Sequence, residues 1–281
     1  MSGTITLLDG AQGTRLWALA AEHGVDREPV WKYNISHPEF VAQVCREYAE
    51  AGTEIICANT FGANRLVVEK NPGFTVEQVV REAVRIAREA LAGTGVKVAL
   101  DIGPLSVMME PYGDLEEDEA EEIFGEMVKA GAEAGADCVF FETFLDMEMM
   151  RVAAQAAKRY PLPVFCSMSF EKSGRTMMGN SVEDILETLT PIGIDGIGMN
   201  CSLGPLLAVP IIREFSEKTE LPLFFKPNAG MPVQRSDGST GYDCTAERFA
   251  EEVAPALELV SYLGGCCGTD AEYIRKLKEI I

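Results

Sequence analysis

Eight short apolar runs recur along the 281 residues, and each is followed by a segment of helical periodicity. The runs span 4–10, 54–60, 97–104, 138–144, 163–170, 196–202, 222–230 and 259–268. Each is continuous rather than alternating, and rich in Val, Ile, Leu or Phe. Strands buried on both faces, as in parallel sheets, have this pattern. The helical segments are 38–51, 76–92, 116–134, 147–160, 182–189, 205–218, 246–257 and 271–281. Ser36 stands before the first as a cap, Thr75 before the second, and Thr245 and Asp270 are placed as N-caps of the last two. Eight strand–helix units predict a (β/α)8 TIM barrel formed by one domain over 1–281. The alternative, a doubly wound open sheet, would rarely need eight units this regular. No low-complexity linker or shift in composition marks a boundary. The longest irregular stretch is 17–37. Its Trp31 and Tyr33 would either pack over a substrate or bury the loop. A second irregular stretch, 231–242, follows the seventh run.

The formal charge of −20 argues against nucleic acid and anionic membrane surfaces as partners. No apolar stretch approaches the roughly 20 residues of a membrane-spanning helix, and the first residues carry no signal-peptide pattern. The eight cysteines are scattered, which suits reduced thiols in a cytoplasmic protein. Cys45, Cys57, Cys138, Cys166 and Cys244 read as ordinary core or surface residues.

Polar side chains gather at the C-terminal ends of the runs: Asp9, Asn59-Thr60, Asp101, Glu142-Thr143, Ser167, Asn200-Cys201, Lys226 and Cys266-Cys267. That end of a barrel carries the active site. The stretch Gly264-Gly265-Cys266-Cys267-Gly268-Thr269 stands out among them. Two adjacent cysteines reach one point only where the backbone turns, and the flanking glycines permit the turn. Two converging thiolates suggest a soft metal, and zinc would need at least a third protein ligand. Cys201, at the end of the sixth run, is the best candidate. The competing reading makes Cys266 and Cys267 small core residues.

These stretches resemble the zinc-dependent homocysteine S-methyltransferases over essentially the whole chain. The likeness rests on Asp9-Gly10-Ala11-Gln12-Gly13-Thr14, on residues 59–65 (NTFGANR), on Glu142-Thr143-Phe144, on Asn200-Cys201-Ser202 and on Gly264 to Gly268. It implies a (β/α)8 barrel with zinc on Cys201, Cys266 and Cys267. It also implies that Asp9 and Gly10 hold polar groups of the amino acid, that Glu142 receives the substrate ammonium, and that Asn200 belongs to the substrate site. The 59–65 stretch is closer to the N-terminal homocysteine module of cobalamin-dependent methionine synthase. The betaine-using branch has Tyr after the strand-four glutamate, where this chain has Thr143.

The expected chemistry is methylation of homocysteine to methionine. Zinc coordination deprotonates the substrate thiol, three protein thiolates give the site a formal charge of −1, and the substrate sulfur makes it −2. The expected donor is methylcobalamin on a separate corrinoid protein. The alternatives are S-methylmethionine as donor, another thiol or a selenol as acceptor, or a zinc-binding protein without turnover. That last case needs a fourth protein ligand, for which His23 and His37 are the two histidines. The chain could also be a piece of a longer protein.

Overall fold

Strict alternation of side chains sorts the apolar residues into two layers. Leu8, Ile55, Cys57, Ala99, Cys138, Phe140, Phe165 and Phe224 pack with one another inside a ring of strands. Their neighbours in sequence, such as Leu7, Ile56, Val98, Val139, Cys166, Ile197 and Phe225, point outward into a second, larger core under the helices. Strands buried on both faces need both layers, which is why the runs read as unbroken apolar stretches.

The computed structural model describes residues 4–234 and 240–281. The barrel strands are β1 (Thr6–Leu7), β2 (Ile55–Cys57), β3 (Lys97–Ile102), β4 (Cys138–Phe144), β5 (Val164–Met168), β6 (Gly196–Asn200), β7 (Leu223–Lys226) and β10 (Tyr262–Leu263). All pairings among them are parallel, in the order β1-β10-β7-β6-β5-β4-β3-β2. A parallel bridge between Leu8 and Ile55 brings β1 against β2 and closes the ring. The result is the predicted (β/α)8 barrel. A short antiparallel hairpin, β8 (Pro232–Gln234) and β9 (Thr240–Tyr242), follows β7.

The outer helices are α1 (Gln12–Glu22), α2 (Tyr33–Ser36), α3 (Pro38–Ala51), α4 (Arg65–Val68), α5 (Val76–Ala90), α6 (Glu117–Ala134), α7 (Met147–Ala157), α8 (Val182–Leu189), α9 (Pro205–Lys218), α10 (Ala246–Val253) and α11 (Ala271–Lys278). Thr75, Thr245 and Asp270 accept hydrogen bonds from backbone N–H groups of the first turns of α5, α10 and α11, as expected of N-caps.

Two expectations are corrected and one open choice is resolved. The stretch 17–37 is not an irregular loop: α1 covers its first third, and Val30–Lys32 and α2 cover its end. Trp31 and Tyr33 are 2% and 0% exposed and belong to the outer core, so they bury this segment rather than line a cavity. Ser36 does not cap α3. It closes α2, and its hydroxyl donates to Glu28 at 2.8 Å, while His37 takes the N-cap position. Part of the irregular stretch 231–242 lies outside the described residues; the rest forms the hairpin.

Candidate metal and substrate site

The three predicted thiols meet at the C-terminal mouth of the barrel. The sulfurs of Cys201, Cys266 and Cys267 all lie within 4.8 Å of one another, and Cys201 Sγ is 3.8 Å from Cys267 Sγ. A tetrahedral site with Zn–S bonds of about 2.3 Å has S···S edges of about 3.8 Å. Soft thiolate donors in this number suit zinc, with one coordination position left over. The two histidines stand elsewhere. His37 pairs with Glu39 at 3.1 Å, and His23 stacks on Phe40.

Backbone geometry aims these thiols. After β6 the chain enters the left-handed region at Cys201 (φ 60°) and Ser202 (φ 57°), conformations that cost energy for residues other than glycine. That turn rotates Cys201 from the strand end toward the mouth. At the other wall the backbone of 264–268 runs against its neighbours. A Cβ on Gly264 would stand 2.6 Å from the Asp9 carbonyl oxygen, and one on Gly268 (φ 84°) would strike the Tyr242 ring. Cys266 N–H donates to the Pro227 carbonyl at 2.8 Å, tying the cysteine loop to the end of β7.

Asn200 secures the assembly. Its Oδ1 accepts from Thr143 N and from Ser167 Oγ, each at 2.8 Å, and its Nδ2 donates to Thr143 Oγ1 at 2.9 Å. The same amide reaches Cys266 Sγ at 3.7 Å. Asn200 is fully buried behind the cavity wall, with its side chain committed to protein atoms. What it holds is a strained Thr143 at φ 67°, where the β4–β5 register shifts between Phe141 and Phe144. Because of that irregularity, consecutive residues Glu142 and Thr143 both line the cavity. A regular strand would send one of them outward.

The thiols share protons unequally. Hydrogen bonds from Cys201 and then Cys266 hold Cys267 down to about 3, with the Tyr242 phenol adding to the effect. For Cys201, the lowering influence of Cys266 is outweighed by Cys267 and by burial, and the thiol is pushed up to about 12. Hydrogen bonding to Cys201 and Cys267, with burial, raises Cys266 well above the ordinary thiol range. Within this trio, negative charge is favoured at Cys267.

Beside the cluster is a cavity of about 300 Å³, at the small end of ligand pockets. Asp9, Gly10, Gln12, Cys57, Asp101, Glu142, Lys226 and the three cysteines are on its wall. Lys226 was visible in the sequence only as a polar strand end. In the structure it is the hub, 2% exposed, with Nζ 2.9 Å from Asp9 Oδ1 and 2.9 Å from Glu142 Oε1. Burial works to lower its pKa, yet Asp9 and Glu142 hold it well above the usual lysine value. The second Asp9 oxygen accepts from Cys57 N at 2.8 Å. Burial raises the Glu142 carboxyl above the usual range, and Lys226 opposes that rise.

Cys57, expected to be a packing residue, also faces this cavity, and its sulfur forms a buried group with Asp101 and Glu142. Lys226 Nζ sits 3.8 Å from that sulfur, so an ammonium already occupies the neighbourhood a second cation would need. Burial, reinforced by Asp9, keeps Cys57 a neutral thiol.

Next to the cysteine loop, whose Gly265 N–H donates to the Asp9 carbonyl at 3.0 Å, the chain passes from β1 through Gly10 into α1. Ala11, the N-cap, has no side-chain cap, and Gln12, Gly13 and Thr14 of the first turn line the cavity. An uncapped helix start offers N–H donors and a favourable dipole to an anionic group.

Comparison with known proteins shows the family and the fold. The sequence family described as homocysteine S-methyltransferase matches residues 6–281. The methionine synthase of Mycobacterium leprae is 27% identical over 265 residues, covering 88% of this chain and 22% of that protein. The methionine synthase of Mycobacterium tuberculosis is 27% identical over 298 residues, covering 100% of this chain and 25% of that protein. The chain thus spans about a quarter of the length of these relatives. Among solved structures, the homocysteine methyltransferase MmuM from Escherichia coli superposes with a TM-score of 0.81 in its oxidized form, at 22% identity over 98% of this chain and 95% of that one. Its metallated form gives 0.81 at 23% identity, over 99% and 96%. At such identities the likeness concerns the barrel fold. No helix among the described residues is long and apolar enough to cross a membrane.

Proposed function

Because this chain belongs to the homocysteine S-methyltransferase family, we propose that it transfers a methyl group to the sulfur of homocysteine, giving methionine, with zinc held by Cys201, Cys266 and Cys267. The observation that carries the reading is the convergence of three thiols on the wall of a cavity of amino-acid size that also holds buried charged groups.

A zinc ion on the three cysteines would supply a Lewis acid that keeps the substrate sulfur in its thiolate form at neutral pH. The remaining work is done by the chain's own residues. Glu142 faces the substrate ammonium, for which a charge-assisted hydrogen bond is the natural partner. The uncapped start of α1 beside Gly10 receives the substrate carboxylate, and Asp9 is held in place by Lys226 and Cys57 N–H. Fixing the ammonium and the carboxylate, both on the α-carbon, limits where the side-chain sulfur can point, so orientation contributes as well as activation. The sulfur lone pair forms the new S–C bond as the bond between methyl group and donor breaks, and methionine leaves. Asn200 acts from behind the wall, positioning Thr143 and Cys266.

The donor in this reading is a methylated corrinoid carried on a separate protein. A cavity of about 300 Å³ admits an amino acid but not a macrocycle, so the methyl group has to be presented at the mouth. Phe61, Val107, Met108, Tyr112, Met177 and Leu206 are exposed large apolar side chains, and all lie on segments that follow barrel strands, around that mouth. Such a rim suits a protein partner better than a small soluble donor. The test supplies homocysteine with methylcobalamin, S-methylmethionine or betaine in separate reactions and measures methionine. Slow turnover with free methylcobalamin is expected, since it lacks the docking contacts. Fast turnover with S-methylmethionine and none with methylcobalamin would overturn the donor assignment. Failure with every donor would sink the methyltransferase reading and leave a zinc-binding protein without turnover.

A further inference from the structure

One lysine faces three buried carboxylates in this cavity, and the charges do not balance. Lys226 lies within ion-pair distance of two of them, Asp9 and Glu142, at 2.9 Å each. Asp101 is the third. It is 8% exposed, it lines the cavity, and its Oδ1, like Glu142 Oε1 apart from its ion pair with Lys226, has no hydrogen-bond partner. A carboxylate oxygen of Asp101 comes within 4.8 Å of one from Glu142. Its backbone is fixed on both sides by Thr60, whose hydroxyl donates to the Asp101 carbonyl at 2.6 Å and accepts from Asp101 N at 3.1 Å. The Asp101 side chain therefore leaves from a fixed backbone position. A buried polar oxygen without a partner is unfavourable and calls for an explanation. Burial and the nearby Glu142 push the Asp101 carboxyl well above its ordinary range, so a proton relieves the unpaired charge until a cation arrives.

We propose that Asp101 is a specificity-determining residue that receives the substrate ammonium together with Glu142 and so selects an amino-acid thiol over a thiol lacking the amino group. The inference rests on the homocysteine reading above. An ammonium carries three N–H donors and no acceptor, which complements two adjacent carboxylates of which Lys226 reaches only one. Glu142 alone would leave Asp101 unexplained. The two residues stand at the ends of neighbouring strands β3 and β4, so they form one wall, while α1 and the three thiols supply the others.

The experiment compares the zinc-loaded protein with its nearly isosteric Asp101→Asn variant, measuring by calorimetry the binding of homocysteine and of γ-mercaptobutyrate, which is homocysteine without its amino group. Loss of a hydrogen bond to a charged partner predicts that homocysteine binds about 10- to 100-fold more weakly to the variant. Binding of γ-mercaptobutyrate should stay within about threefold, since it never uses this subsite. The parent's preference for the amino thiol therefore collapses. A merely structural role would weaken both ligands alike. Asp101→Ser, smaller and uncharged, repeats the comparison should the amide disturb the fold. A variant that discriminates as well as the parent overturns the assignment and leaves the methyltransferase reading standing. A parent that binds neither thiol overturns both.

Discussion

Replacing Lys226 with Met removes the one cation the described residues place among Asp9, Asp101 and Glu142. At an effective dielectric constant of about 20, each 2.9 Å contact is worth about 6 kcal/mol of gross attraction. Desolvating the ammonium takes back several kcal/mol of that, and what remains on breaking a buried pair is about 3–5 kcal/mol. Lys226→Met should lose that much stability at pH 7. The pH dependence follows from sign. In the parent, the Lys226 pKa is raised, so its contribution is complete below the unfolded lysine value and is lost only as pH rises through the higher folded value. The parent is therefore indifferent to this group near neutrality. In the variant the carboxylates lose the neighbour that lowered Asp101 and Glu142, and their folded pKa values climb further. A group with a raised folded value is penalised above its unfolded value and relieved as pH falls, because protonation removes the uncompensated charge. The deficit of Lys226→Met should thus shrink between pH 7 and pH 5. Urea titrations of both proteins at the two pH values, with unchanged slopes, would measure it. A loss below about 1 kcal/mol at pH 7, or one that is the same at pH 5, would refute the view that Lys226 is the electrostatic keystone of the cavity.

Two further outcomes concern the thiols. Cys266→Ser should retain a folded barrel by circular dichroism and lose most of its zinc by metal analysis; stoichiometric zinc in that protein would contradict the ligand assignment. Zinc loading at neutral pH should release about two protons, because Cys201 and Cys266 are held up as thiols while Cys267 is held down. Calorimetry in buffers of different ionisation enthalpy reads this number directly, and affinity should rise steeply with pH. Release of three protons would mean that the trio holds no resident thiolate.

Local pattern carried the architecture. The alternation of apolar runs with helical periodicity fixes eight β/α units, because each strand and helix must bury its own apolar surface whatever its neighbours do. The polar strand ends, including Asp9, Glu142, Asn200, Cys201 and Lys226, were legible for the same reason: in a barrel, the C-terminal ends of all strands face one mouth. The helix α1 was missed because its start carries no capping side chain: Ala11 stands at the N-cap. Nothing local could show that Lys226 pairs with Asp9, 217 residues away, since the contact exists only when β1 and β7 flank β10 in the sheet. The same holds for Asp101, whose unpartnered oxygen is defined by what Lys226 does not reach. It holds too for Thr143 and Cys201, where non-glycine residues accept positive φ because Asn200 braces the first and the loop hydrogen bond from Cys201 N to Lys226 O, 3.1 Å, ties the second. Sequence determined which chemical groups reach the mouth. Tertiary structure decided which of them are already neutralised and which are left for a ligand, because electrostatic pairing depends on distances across the barrel rather than along the chain.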